Sequence, residues 1–112
     1  MKLSEIVEKL QLEVMCGRES LDQEIERGFA GDLMSDVIAN ARPKDIWVTM
    51  QVHMNVVAIT GMKETGAVVF TQGRIPLPET LRKAENEDAV LLGTGLTAFE
   101  LVGRLYRLGI TG

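Results

Sequence analysis

From residue 46 onward, short apolar runs alternate with helix-forming segments, and this rhythm constrains the fold more than any other feature of the chain. The runs are Ile46-Trp47-Val48-Thr49-Met50, Ala67 to Thr71 and Ala89 to Leu92. Each is nearly continuous, without apolar/polar alternation, and so reads as a strand buried on both faces. Between them, His53 to Lys63 is too long for a typical strand and reads as a helix closed by Gly66. Pro78 to Asn86 reads as a helix with proline at its permitted first position. The alternation in units of about 22 residues matches right-handed strand–helix–strand crossovers. The fold class that follows is α/β, a three-layer sandwich with a mostly parallel central sheet flanked by helices.

The last helix has the clearest local signal. Thr97 is placed to cap it, Glu100 stands at the capping-box position, and the segment runs to about Leu108 before Gly109. Before residue 46, Leu3, Ile6, Val7 and Leu10 fall at helical spacing, with Ser4 as the expected cap of a helix over residues 4–10. Leu12 to Cys16 reads as a short strand closed by Gly17, and Glu24 to Ala30 as an edge strand leading to Gly31. Asp32 is the expected cap of a helix carrying Leu33, Met34, Val37, Ile38 and Ala41, stopped by Pro43.

The chain of 112 residues has no internal repeat, low-complexity stretch or linker, so residues 1–112 are expected to form one domain. At this length roughly two thirds of the unfolded surface is buried on folding, enough for a core without disulfides or a structural metal. With a net charge of −4 and no basic run, a phosphate-tracking nucleic-acid surface is not expected. Aromatic residues, at 4%, are too few for a base-stacking platform. Cys16 is the sole cysteine, which points to a reducing, cytoplasmic setting. Its neighbours include no histidine or basic helix start that would activate it. There is no 18-residue apolar run, and residues 1–15 mix charge with apolar residues, unlike a signal peptide. Neither a membrane nor a cofactor is expected.

In parallel sheets the ligand crevice lies beyond the carboxyl ends of the strands, where helix starts offer unpaired N–H groups. That rule selects three loops, Gln51 to His53, Thr71 to Arg74 and Gly93 to Thr97. The candidate ligand-binding residues are therefore His53, Thr71, Gln72, Gly73, Arg74, Gly93, Thr94, Gly95 and Thr97, with a small anion or nucleotide as ligand. Ordinary structural roles stand beside each. Thr97 with Glu100 can be only a cap, Gly93 and Gly95 only turn residues, and Thr71-Gln72-Gly73 only turn chemistry. His53 is the sole histidine, so no second imidazole can pair with it on a metal. Asp32, Asp36 and Asn40 share a helix face and suit either a hard cation or a solvated stripe. The last helix spreads Phe99, Leu101, Val102, Leu105, Tyr106 and Leu108 over more than one stripe, which suggests a homodimer or a cover from the first helix.

Several segments carry a resemblance: Asp32-Leu33-Met34-Ser35-Asp36, Asp45-Ile46-Trp47-Val48-Thr49, Phe70-Thr71-Gln72-Gly73 with Pro78, and above all Leu91-Leu92-Gly93-Thr94-Gly95-Leu96-Thr97-Ala98-Phe99-Glu100. The stretch from Leu33 to Leu108 resembles the DRTGG domain family, and the full length resembles its stand-alone members. The resemblance implies an α/β accessory module, found beside nucleotide-sensing CBS pairs in some pyrophosphatases, within long phosphotransacetylases, and alone. The motif that names the family is not literally present, and Thr71-Gln72-Gly73 stands where Thr-Gly-Gly is often found. No Gly-rich loop ends in Gly-Lys-Ser or Gly-Lys-Thr, which argues against the kinase label given to some relatives. The expected function is a non-catalytic regulatory or small-ligand-binding domain. The alternatives are a module docking a larger enzyme or signalling protein, and a small enzyme with His53 as general base and Arg74 steadying an anion.

Overall fold

The computed structural model describes every residue, Met1–Gly112. The elements follow as α1 (Leu3–Leu10), β1 (Glu13–Cys16), β2 (Arg27–Ala30), α2 (Met34–Asn40), β3 (Asp45–Thr49), α3 (Asn55–Lys63), β4 (Ala67–Phe70), α4 (Pro78–Glu87), β5 (Leu91–Gly93) and α5 (Ala98–Arg107). One sheet runs in the order β1-β5-β4-β3-β2. Strands β2 to β5 are parallel, while β1 lies antiparallel along β5 with Glu13 opposite Gly93. The mostly parallel three-layer sandwich is thus the observed fold.

Every residue of β3, β4 and β5 is buried, as their unbroken apolar runs require. Alternate side chains serve two cores. Ile46, Val48, Val69 and Leu92 face α1 and α5, packing with Leu3, Ile6, Leu101 and Leu105. Trp47, Val68, Phe70 and Leu91 face the other helices, packing with Val37, Val56, Val57 and Ala84.

The first third departs most from the expected local chemistry. Ser4 does not cap α1, because it lies inside the helix; the opening N–H groups of Leu3 and Ser4 donate instead to the carbonyls of Gln23 and Leu21. Of Glu24–Ala30 only Arg27–Ala30 is a strand, and Glu24 makes an isolated bridge to Lys2. Asp32 caps nothing. Its Oδ1 accepts from the Thr49 hydroxyl at 2.8 Å and the Met50 N–H at 2.7 Å, tying the carboxyl ends of β2 and β3 together. Asn40 meanwhile donates to Asp36 at 2.7 Å, so the three polar residues of this helix face do not form one donor set.

Helix α3 ends at Glu64, which takes the left-handed conformation itself at φ 56°, so Gly66 is not its terminator. Gly66 is needed for another reason, since a Cβ there would stand 2.5 Å from Ile25 Cδ1. Half of the capping box of α5 forms: the Thr97 hydroxyl accepts the Glu100 N–H at 3.2 Å, while the Glu100 carboxylate turns to Arg104 at 3.9 Å. Gly109 closes α5 at φ 94°, as its position after the last helical turn requires. No helix is long and apolar enough to cross a membrane.

Candidate functional site

At the carboxyl edge of the sheet, the β4–α4 and β5–α5 loops are stitched together by backbone. Gln72 N–H donates to the Leu96 carbonyl at 2.8 Å, Gly73 N–H to Thr94 at 2.9 Å, and Thr94 N–H to Phe70 at 3.0 Å. Gln72 and Gly73 both have positive φ, 59° and 71°, and Arg74 N–H closes the turn on the Thr71 carbonyl at 3.1 Å. This is a primed turn, in which a glycine at the second position carries no side-chain penalty. Its two donors are consumed in holding the neighbouring loop, so they offer nothing to an anion.

The stitched loops meet β1 in an open cleft of about 210 Å³, lined by Gln11, Glu13, Met15, Gly73, Arg74, Ile75, Gly93, Thr94 and Gly95. Five of the nine residues expected from sequence therefore come together. Arg74 makes no ion pair within the chain. The Gly95 N–H donates to no group of the protein, and a Cβ at Gly95 or Gly73 would meet open space. Thr94 Oγ1 accepts the Leu96 N–H at 3.2 Å, which leaves its own proton to donate. The residues that line the cleft thus bring together a guanidinium, a hydroxyl, a backbone N–H without a partner in the chain, and the Glu13 carboxylate.

The remaining four expected residues do not line this cleft. Thr97 is occupied in capping α5, and Gln72 lies exposed in the turn. His53 sits half-buried between β3 and α3, where its carbonyl accepts the Val56 N–H. Thr71 is wholly buried, and its hydroxyl has no hydrogen-bond partner. A buried hydroxyl without a partner costs about 1–3 kcal/mol. Thr71→Val, which keeps the shape and removes the orphan group, is expected to raise unfolding free energy by about 1 kcal/mol in urea titrations. A loss of stability instead would mean that the hydroxyl is satisfied in solution.

Gln11, Glu13 and Met15 were not foreseen, because nothing local in the sequence places β1 beside β5. Ile75 follows Arg74 directly and is 68% exposed, which the sequence did not signal, since an isoleucine in a loop is as readily buried. Gly93 leaves room for the end of the Met15 side chain, which a Cβ there would displace.

Two other polar clefts differ in chemistry. One of about 270 Å³ lies at the opposite edge of the sheet, with Glu64, Glu87 and Asp88 among its lining residues. Another surrounds Cys16 with Glu19, Glu85 and Asp88. Burial, and then the charges of Glu85, Glu19 and Asp88, push the Cys16 thiol up, so it stays protonated and unreactive near neutrality. Carboxylates repel anions from both places.

No family model and no curated protein matches this chain. Among solved structures, it is similar to the CBS and DRTGG domains of the regulatory region of Clostridium perfringens pyrophosphatase, solved with the activator diadenosine tetraphosphate. The TM-score is 0.75 over 93% of this chain, at 16% sequence identity. The match covers 45% of that other chain, less than half of its length. At this identity the likeness establishes a shared fold.

Proposed function

We propose that this domain is a non-catalytic regulatory module that binds a small phosphorylated ligand, with a nucleotide as the leading class, in the cleft at the carboxyl edge of the sheet. The observation that carries this reading is that Arg74 without an ion pair, the Thr94 hydroxyl and the free Gly95 N–H belong to residues lining one cleft. Arginine grips phosphate through a planar fork of donors, and an approachable glycine N–H adds a directed hydrogen bond. Glu13 in the same cleft suits the hydroxyls of a ribose, since carboxylates hold the ribose in nucleotide sites. At about 210 Å³ the cleft is smaller than the roughly 300–1,000 Å³ of typical ligand pockets, so it suits the sugar-phosphate portion, with a base lying over exposed Ile75. The similar pyrophosphatase region is itself regulatory and was solved with a nucleotide activator, which supports the same class of role.

In an amide-resolved NMR titration with ATP, AMP and inorganic phosphate, shifts are expected at Gly73, Arg74 and Gly93 to Gly95. Arg74→Ala is expected to weaken binding by about tenfold or more, the equivalent of one charge-assisted hydrogen bond. Silent loop amides at millimolar ligand, or an affinity indifferent to Arg74, would overturn the reading.

A second reading, a module docking a larger enzyme or signalling protein, is favoured by one observation. Leu33, Met54, Ile75, Leu77 and Phe99 are all exposed, and all belong to segments that follow the carboxyl ends of the parallel strands. The enzyme reading is the weakest of the three, because His53 and Arg74 share no cleft wall.

A further inference from the structure

Helix α5 buries Leu101 and Leu105 under the sheet and presents a different stripe outward. Phe99 is 92% exposed and Tyr106 55%, with half-buried Val102 and exposed Gly103 between them at helical spacing. Beside the stripe, an apolar cleft of about 200 Å³ runs between α5 and the edge strand β2, lined by Phe29, Ala30, Val102, Tyr106 and Ile110 among others. The chain's own fold gives Gly103 no purpose. A Cβ there would meet nothing within 4 Å, yet a glycine inside a helix costs about 0.5–1 kcal/mol relative to alanine. A helix that approached this face from outside would explain it.

The charges identify that helix. Glu100 stands at the amino-terminal end of α5, Arg104 and Arg107 at the carboxyl-terminal end, and Arg107 has no ion-pair partner in the chain. We infer that the outer face of α5 is a self-association surface, on which a second copy of this chain packs its own α5 antiparallel about a two-fold axis near Gly103. In that register Phe99 and Glu100 of each copy lie beside Tyr106 and Arg107 of the other. Apolar meets apolar and negative meets positive at both ends, the self-complementarity that a two-fold interface demands. A parallel pairing would set Glu100 against Glu100 and Arg107 against Arg107. The outer face of α3, with Met54, Ala58, Gly61 and Met62, is also apolar, but its only charged residue is Lys63 and it specifies no register.

The test is the solution mass of the full chain by light scattering and sedimentation, with folding of each variant checked by circular dichroism. The wild type is expected to be a dimer. Phe99→Asp, which puts a favourable acid in the first turn of α5 and removes no contact within the monomer, is expected to weaken dimerisation by about tenfold or more. Glu100→Lys and Arg107→Glu are each expected to weaken it, and the double exchange to restore it. Gly103→Cys in a Cys16→Ser background is expected to form an oxidised dimer with its own copy. A monomeric wild type, a dimer unaffected by Phe99→Asp, or one dissociated by Met62→Glu while all α5 variants remain dimeric would overturn the inference. These readouts are independent of ligand binding at Arg74.

Discussion

Trp47→Ala is expected to lower unfolding free energy by about 4 kcal/mol, the upper part of the range for emptying a buried aromatic site. Trp47 is wholly buried in β3, among Val37, Val56 and Val68 in the core beneath α2 and α3. It also donates its indole N–H to the Gly31 carbonyl at 2.9 Å, which holds the exit of edge strand β2 against the centre of the sheet. The substitution therefore combines a cavity with a carbonyl deprived of its donor. Trp47→Phe separates the two effects, since it fills most of the space without the N–H, and a loss of about 1–2 kcal/mol is expected. Domain stabilities are commonly about 5–15 kcal/mol, so the alanine variant stands near the limit of folding. Urea unfolding followed by circular dichroism measures both, and a loss below about 1 kcal/mol for Trp47→Ala would show that the site collapses to fill the space.

Arg27→Met is expected to cost about 3 kcal/mol, although Arg27 is partly exposed. Its partner decides the magnitude. Asp45 opens β3 with no solvent exposure and receives a two-pronged grip, Arg27 Nε to Oδ1 at 2.8 Å and a terminal nitrogen to Oδ2 at 2.7 Å. The Arg42 N–H adds a third donor at 2.8 Å, and Arg27 also reaches the Asn40 carbonyl at 3.0 Å. The carboxylate in turn holds the Arg27 guanidinium more firmly protonated, mainly through that hydrogen bond. Removing the arginine leaves a buried carboxylate with one backbone donor, and uncompensated buried charges typically cost about 3–5 kcal/mol. The backbone donor places the expectation at the lower end. The double variant Arg27→Met with Asp45→Leu is expected to recover most of the loss, since an apolar pair of similar volume often replaces a buried ion pair without penalty. Equal instability of the single and double variants would mean that packing, and not charge, is what Arg27 supplies.

Arg27 was not singled out in the sequence, and Asp45 only as the start of a strand segment and not as half of an ion pair; the reason is physical. Arg27 and Asp45 meet only because β2 pairs with β3 in a register that sets them opposite each other. The same holds for Asp32. Before a Met-Ser-Asp-Val stretch it has the local chemistry of a helix cap, but Thr49 and Met50 compete for its carboxylate across the sheet and win. Gly66 was legible as a breaker and illegible as the place where Ile25 comes close. For the candidate site, Gly73, Arg74, Gly93, Thr94 and Gly95 were found because the crevice rule depends only on strand direction and loop position. Thr71 and Gln72 lie in the same loop, yet one is turned into the interior and the other held in the turn.

By itself the sequence determined the periodic features: unbroken apolar runs that must be buried on both faces, helices between them, the Thr97 cap, the Gly109 stop, and hence a layered α/β sandwich. These follow from short-range chemistry, the fit of each side chain to its own segment's burial and backbone geometry. Only the tertiary structure decided the strand order, the antiparallel seating of β1 beside β5, and with it the arrival of Gln11, Glu13 and Met15 at the cleft. Such pairings join residues far apart in the chain. Their free energy lies in contacts that no segment makes alone, so no local pattern could carry them.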